Sequence, residues 1–287
     1  MRIERRGTDG DLLKARRMIE ELDGQVSAIG LGGIDLYVVA GERRYALRDA
    51  MPLASAAKIT PVVDGSGLKN TLERETVRRL QTERIVDFKD LPVLLVSAVD
   101  RFGMAEALVE EGARVVFGDL LFILGLPIPL RRLRTMQRLG ALILPVATRL
   151  PFKMIYPTGK KQEAIKSTLA HDRFFREARM VAGDFLLIRR FLPDKLEGKI
   201  VLTNTTTQSD VELLRARGAS RLITTTPEFE GRSFGTNVME GVFAALGART
   251  QAEYLALLRQ LDWQPRIITF ENEPQMNPAQ RAPDKHG

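Results

Sequence analysis

Apolar runs of strand length alternate with segments of helical period along almost the whole chain, and that alternation predicts its architecture. Leu12, Leu13, Ala15, Ile19 and Leu22 recur at helical spacing behind Asp11, which predicts a helix over 11–22 with an aspartate cap. Residues 26–31 form a short apolar strand ending in Gly30-Leu31-Gly32-Gly33. A hairpin turning at Gly41 is expected over 37–47, a short helix over 52–58 and a strand over 61–64. That strand runs into Gly65-Ser66-Gly67, and a charged amphipathic helix follows over 70–81. Residues 84–91 are polar and break the pattern, so a boundary is placed there.

Residues 92–97 are apolar nearly throughout, as a parallel strand buried on both faces requires. A helix over 104–111 and a strand over 113–118 complete a unit of βαβ size. Prolines 127, 129, 145, 151 and 157 then interrupt the alternation around a basic helix beginning at Arg131 and ending near Leu144. This stretch is expected to be a helical insertion, serving as a lid or as a contact between copies of the chain. The alternation resumes with helices over 173–178, 209–217, 237–246 and 253–261 and strands over 180–182, 199–203 and 221–225. The predicted class is α/β, with parallel sheets, flanking helices and a Rossmann-like second domain. The expected division is a smaller α/β domain at 1–88, a Rossmann-like domain at 89–270 with its insertion at about 120–157, and a disordered tail at 271–287. One internal echo stands out: Val115–Leu121 and Met180–Leu186 are both strands ending in Gly-Asp, a similarity that the unmatched flanks argue is coincidental.

Composition narrows the chemistry. The chain of 287 residues has no cysteine, which excludes disulfides, iron–sulfur clusters and thiol nucleophiles. Its histidines are His171 and His286, so a multi-histidine metal site is excluded, and no metal is expected. The net charge of +7 attracts phosphates and nucleotides, but no nucleic-acid-binding module is recognisable. The charged N-terminus lacks the apolar core of a signal peptide, and 140–151 is too short to span a bilayer. A cytoplasmic protein is expected, with a small-molecule substrate, neither nucleic acid nor membrane as partner, and self-association open.

In an open parallel sheet, ligands bind at the carboxyl ends of the strands. The turn after the 92–97 strand is therefore the first place to look. It has the frame of a dinucleotide site: strand, turn, helix start, second strand and then Asp119 for the ribose. Ser97 and Val99 stand where glycines are usual, with only Gly103 near the third position; the same frame suits a plain βαβ unit. Gly65-Ser66-Gly67 before a helix offers backbone N–H groups to an anion, with Lys69 adding a charge. Lys69 with Asp64 or Asp100 can form a proton-transfer pair. Arg232, Thr225 and Asn237 flank a further strand end and helix start, where they can grip a carboxylate or phosphate. Tyr156-Pro157-Thr158-Gly159-Lys160 matches a Tyr-x-x-x-Lys pair, but its proline and glycine oppose the helix that pair needs. His171 beside Asp172 is expected at a helix start or on the surface.

Four phrases, Gly30–Leu36, Asp64–Arg74, Ser97–Ala107 and Gly231–Glu240, together resemble a bacterial family labelled quinate/shikimate 5-dehydrogenase-like, over roughly residues 5 to 270. The resemblance implies an NAD(P)-binding Rossmann domain after a smaller substrate domain, and a catalytic Lys–Asp pair acting on a cyclic polyol acid. Of the Asn-Val-Thr-x-Pro-x-Lys run of shikimate dehydrogenases, 64–69 shares only the final lysine. The expectation is an NAD- or NADP-dependent oxidoreductase of a small hydroxylated acid. Lys69 transfers the proton with Asp100 or Asp64. Ser97, Arg101, Gly103 and Asp119 hold the cofactor, and Arg232, Asn237 and Thr225 hold the substrate. The alternative is a non-redox protein, a transferase or sensor, that binds a nucleotide or phosphorylated ligand in the same crevice. A third reading has the basic helix at 131–138 docking an acidic partner.

Overall fold

The computed structural model describes residues 1–40, 43–149, 168–226, 228–229, 232–233 and 235–270. The Tyr156–Lys160 match, the hairpin turn at Gly41 and the tail beyond Phe270 lie outside them.

The first part of the chain builds a small α/β unit. Helix α1 (Leu12–Leu22) starts at Asp11, whose carboxylate accepts from the Leu13 and Lys14 N–H groups at 2.9 and 3.0 Å. Strand β1 (Ile29–Gly30) pairs in parallel with β4 (Val62–Val63), while β2 (Tyr37–Ala40) and β3 (Arg43–Ala46) form the expected hairpin. Short helix α2 (Met51–Ala54) supplies buried Leu53 to a core shared with Ile19, Leu36 and Leu47.

Helix α3 (Ser66–Thr82) follows, and it begins four residues before the start expected from apolar spacing. Gly65, at φ +91°, turns the chain into it. Leu68, Leu72, Val77 and Leu80 are all fully buried, and Val77 and Leu80 sit in the core of the large sheet that follows. The helix placed in the first domain thus packs onto the second sheet.

That sheet has six strands in the order β12-β9-β8-β7-β5-β6. Strands β5 (Pro92–Leu95), β6 (Arg114–Phe117), β7 (Met180–Ala182), β8 (Ile200–Thr203) and β9 (Arg221–Thr224) are parallel. Strand β12 (Arg266–Thr269), unseen in the apolar pattern, closes one edge antiparallel to β9. Side chains alternate between faces as strand geometry demands. Val93, Leu95, Phe117, Met180 and Ile223 enter one core, and Leu94, Val181, Val201 and Leu222 enter the other.

Helices cover both faces, which explains why the strands read as continuous apolar runs. The first face carries α3, α4 (Phe102–Glu110) and Met136 of α6 (Leu133–Ala147). The second carries α5 (Asp119–Phe122), α7 (Leu169–Glu177), α8 (Phe185–Arg190) and α9 (Gln208–Ala216). This is a Rossmann-like α/β fold. Helix α6, the expected insertion helix, is a brace: Met136 packs into the large-sheet core and Leu144 into the small-unit core. Beyond the short β10 (Glu228–Phe229) and β11 (Arg232–Ser233), helices α10 (Thr236–Ala245) and α11 (Gln251–Gln260) pack against α3. Among the described residues, no helix is long and apolar enough to cross a membrane.

The sequence echo has a structural counterpart. Both β6 and β7 run through Gly-Asp into a short helix, α5 and α8. The aspartates then do different work, as the site makes plain.

Candidate functional site

The order in which strands are added reverses at β5, whose neighbours are β6 on one side and β7 on the other. The crevice beyond the carboxyl ends of β5 and β7 is therefore a topological switch point. The loop of the small unit that carries Asp35 and the start of α3 lean over it.

Lys69 lies on the first turn of α3, pointing its ammonium to Asp100 Oδ1 at 2.9 Å and to Asp35 Oδ2 at 3.8 Å. Asp100 comes from the turn between β5 and α4, and Asp35 from the loop between β1 and β2. The Lys69 side chain is 12% exposed and each aspartate 23%, so this is a half-closed cluster reached from one side. Burial works against the Lys69 charge, but Asp100 and Asp35 overcome it and hold the ammonium protonated well above the usual lysine range. Burial also opposes ionisation of Asp100, yet the charges of Lys69 and Arg101 and the Lys69 hydrogen bond bring its carboxyl below the ordinary value. Asp35 goes the other way: burial, with Asp100 and Asp64 adding repulsion, pushes it up to about 6. Of these three groups Asp35 is the one poised to change protonation near neutrality. It was not singled out from sequence.

Asp64 places Asp35. One carboxylate oxygen accepts from the Leu36 and Tyr37 N–H groups at 2.5 and 3.3 Å, the other from Ser66 N and Oγ at 3.1 and 2.7 Å. Expected as a partner of Lys69, it instead ties the Asp35 loop to the start of α3.

Arg101 underlies the cluster and is only 2% exposed. It pairs with fully buried Glu73, meets Asp184 at 2.9 Å and lies 3.5 Å from Asp100. Asp184 also caps α8 and accepts from Asn204 Nδ2 at 3.2 Å. These contacts consume the guanidinium that sequence reasoning offered to phosphates.

Tyr37, Ser66, Lys69, Asn70, Glu73 and Asp100 line a small cleft of about 20 Å³, room for one water or one hydroxyl group. Asn70 Oδ1 and Glu73 Oε2 on this lining are buried with no hydrogen-bond partner among the described residues. A cleft with spare acceptors and a fixed ammonium suits a hydroxyl group, which can donate and accept at once.

The glycine-flanked turn at the start of α3 and the β5–α4 turn, both expected to face an anion, are filled from within. At the start of α3, Gly65 N–H donates to Glu240 Oε2 at 2.6 Å, and Tyr254 Oη donates to the other oxygen of the same carboxylate at 2.9 Å. At the β5–α4 turn, Asp119 accepts from Ala98 and Val99 N–H at 3.0 and 2.9 Å. Both of its oxygens face the turn that a pyrophosphate would occupy, rather than a ribose. Gly103 is a glycine because α3 crosses α4 there: a Cβ would lie 2.6 Å from the Asn70 carbonyl oxygen. Asp100 adds a carboxylate to the same turn, and Ser97 is buried at 4% exposure. Of the four residues expected to hold NAD or NADP, Arg101, Gly103 and Asp119 are thus engaged with the protein itself and Ser97 is buried, and the β5–α4 turn does not fit a dinucleotide diphosphate.

Each expected substrate residue has its own setting. Thr225 is fully buried beyond β9, its N–H donating to Thr203 O at 2.8 Å and its Oγ1 without a partner among the described residues. Asn237 is wedged on α10 against the glycine loops: a Cβ on Gly65 would lie 2.5 Å from Asn237 N, and one on Gly30 2.7 Å from Asn237 O. Gly30 and Gly65 therefore serve helix packing. Arg232 is on β11, and its side chain lies outside the described residues. His171, buried on α7, stacks on Phe191 with ring centroids 4.3 Å apart and binds Thr168 Oγ1 through Nδ1 at 2.7 Å.

Residues 67–270 match the model of a family described as Domain of unknown function (DUF8754), and residues 1–64 match that of Domain of unknown function (DUF8753). No curated protein matches the chain.

Proposed function

We propose that this chain, which belongs to the DUF8754 family, is an enzyme that activates a hydroxyl group of a small polyhydroxylated substrate by proton transfer. The carrying observation is that Lys69 and Asp100, from two separate elements, line a cleft that admits one hydroxyl, while Asp35, from a third, lies 3.8 Å from the same ammonium. A substrate hydroxyl that reaches the Lys69 ammonium from the Asp35 side donates to the Asp35 carboxylate, which accepts the proton. The Lys69 ammonium, fixed by Asp100, stabilises the oxyanion left behind. Asp64 and Arg101 are positioning residues. Two cations face four carboxyl groups around this cluster, so it reads hydroxyl donors rather than a substrate's own anion. In this step only the proton moves, from the hydroxyl oxygen to the Asp35 carboxylate, and no oxidation state changes. In this reading the enzyme works in the cytoplasm, with a small molecule as its partner and neither nucleic acid nor membrane.

A second reading, an NAD(P)-dependent oxidoreductase of a quinate- or shikimate-like acid, is favoured by the Lys69–Asp100 pair beside the switch point of a Rossmann-like sheet. It requires the cofactor to approach away from the β5–α4 turn.

The test is a thermal-shift screen of cyclic polyols, sugars and hydroxy acids, with NAD(H) and NADP(H) run in parallel, on wild type, Lys69→Met and Asp35→Asn. A ligand that binds only the folded state raises the midpoint by mass action, by about 2.7 kcal/mol at a hundredfold excess over Kd. A polyol shift lost in Lys69→Met supports the site, and turnover of that polyol with a pH break near 6 that vanishes in Asp35→Asn supports the chemistry. A polyol shift retained in Lys69→Met refutes the assignment. A nicotinamide-cofactor shift would move the oxidoreductase reading to first place.

A further inference from the structure

We propose that a second binding site, for a small organic carboxylate with an apolar body, lies at the opposite end of the large sheet from the Lys69 cluster. A cavity of about 280 Å³ opens there between the first residues of β5 and β6, the loop at 127–131 and helix α7. Its size is close to the lower end of small-molecule pockets. It belongs to the sheet edge: Phe117 N–H donates to Leu130 O at 2.8 Å, which lays the 127–131 loop alongside β6 and makes it one wall.

The walls and the rim differ in chemistry. Leu94, Val116, Phe174, Pro127 and Pro129 supply apolar surface. Arg114, Arg131 and Arg173 supply three guanidinium groups, and Glu177 is the single acidic side chain on the lining. Glu177 is shared between two of them, at 3.1 Å from Arg173 and 3.8 Å from Arg131. Arg114 is held from behind, its Nε donating to the Asp90 carbonyl at 2.9 Å. One carboxylate against three guanidiniums leaves the rim with an excess of two positive charges, in the fork geometry that takes planar carboxylates in bidentate fashion. An apolar floor under such a rim matches a compact hydrocarbon or aromatic skeleton bearing one carboxylate. Strand β5 begins at this site and ends in the turn that carries Asp100, so the two sites share one rigid element.

The probes are sodium benzoate, its uncharged isostere benzamide and sodium phosphate, titrated calorimetrically into the full chain. The variants are Arg131→Ala/Arg173→Ala and Arg131→Gln alone; these side chains are 63% and 77% exposed, so the fold should survive. Saturable benzoate binding is expected, at least tenfold weaker for benzamide and at least tenfold weaker in the double variant. Three results would overturn the proposal: no saturable benzoate binding, equal binding of benzamide, or benzoate affinity unchanged in both variants. Phosphate binding without benzoate binding would also overturn it, because the apolar floor would then play no part.

Discussion

Asp119 offers a sharp test of how the β5–α4 turn is held. The carboxyl is 5% exposed and accepts two backbone N–H groups. Burial pushes it up, and the two N–H bonds pull it down; burial wins, leaving it at about 6 against 3.8 for an ordinary aspartate. Because the folded value exceeds the unfolded one, the folded state binds the proton more tightly. The stabilisation from protonation is fully present below about pH 4 and is lost as pH rises through about 6. At 1.36 kcal/mol per unit, the loss is about 3 kcal/mol. Asp119→Asn keeps an acceptor for one N–H and cannot titrate. Urea denaturation of both proteins at pH 4, 5, 6 and 7 isolates this group in the difference between them. Wild type should lose about 2.4 kcal/mol of this relative to the variant between pH 4 and pH 7, the rest lying below pH 4. A difference that stays flat, or that rises with pH, would mean that the hydrogen bonds outweigh burial and would refute the reasoning.

Glu73→Gln should destabilise the fold by about 3 kcal/mol in denaturant titrations, the low end for breaking a buried pair. Burial pushes the Glu73 carboxyl up while pairing holds the Arg101 charge; the arginine side decides, because a guanidinium cannot shed its proton and keeps only Asp184 and Asp100. A loss below 1 kcal/mol would show that those two suffice. Gly103→Ala should cost about 1–3 kcal/mol by forcing α4 away from Asn70, read as a lowered Tm with the secondary structure retained. An unchanged Tm would mean that α3 and α4 separate freely.

Much of this architecture is legible in the sequence because the signals are local. Apolar strands bounded by glycine and proline, the Asp11 cap and the helical spacing of α4, α9 and α10 all depend on near neighbours. Strand β12 is not legible, since an edge strand four residues long with alternating exposure has no strong apolar run. Lys69 and Asp100 are legible as a pair of chemical types near strand ends. Asp35 is not, because it reaches them only through the loop that Asp64 pulls into place from 28 residues away. The anion cradles mislead for the same reason. A glycine-flanked helix start looks open to phosphate until Glu240, 175 residues distant, is seen to occupy it. Backbone N–H groups near the start of a helix need a partner, and here long-range carboxylates provide it. Beside Lys69, by contrast, the buried acceptors Asn70 Oδ1 and Glu73 Oε2 have no hydrogen-bond partner among the described residues.

In the proposed function Lys69, Asp100 and Asp35 divide their roles by environment, with Asp35 as the proton acceptor. Carboxyl carbon NMR of the full chain, titrated from pH 3 to pH 8, follows Asp35 and Asp100 directly. The account predicts that Asp35 titrates near pH 6 and Asp100 below the ordinary aspartate value. Lys69→Met should raise both, since each loses the charge that favours its ionised form. Asp35 and Asp100 titrating together near the ordinary value, unmoved by Lys69→Met, would contradict the account.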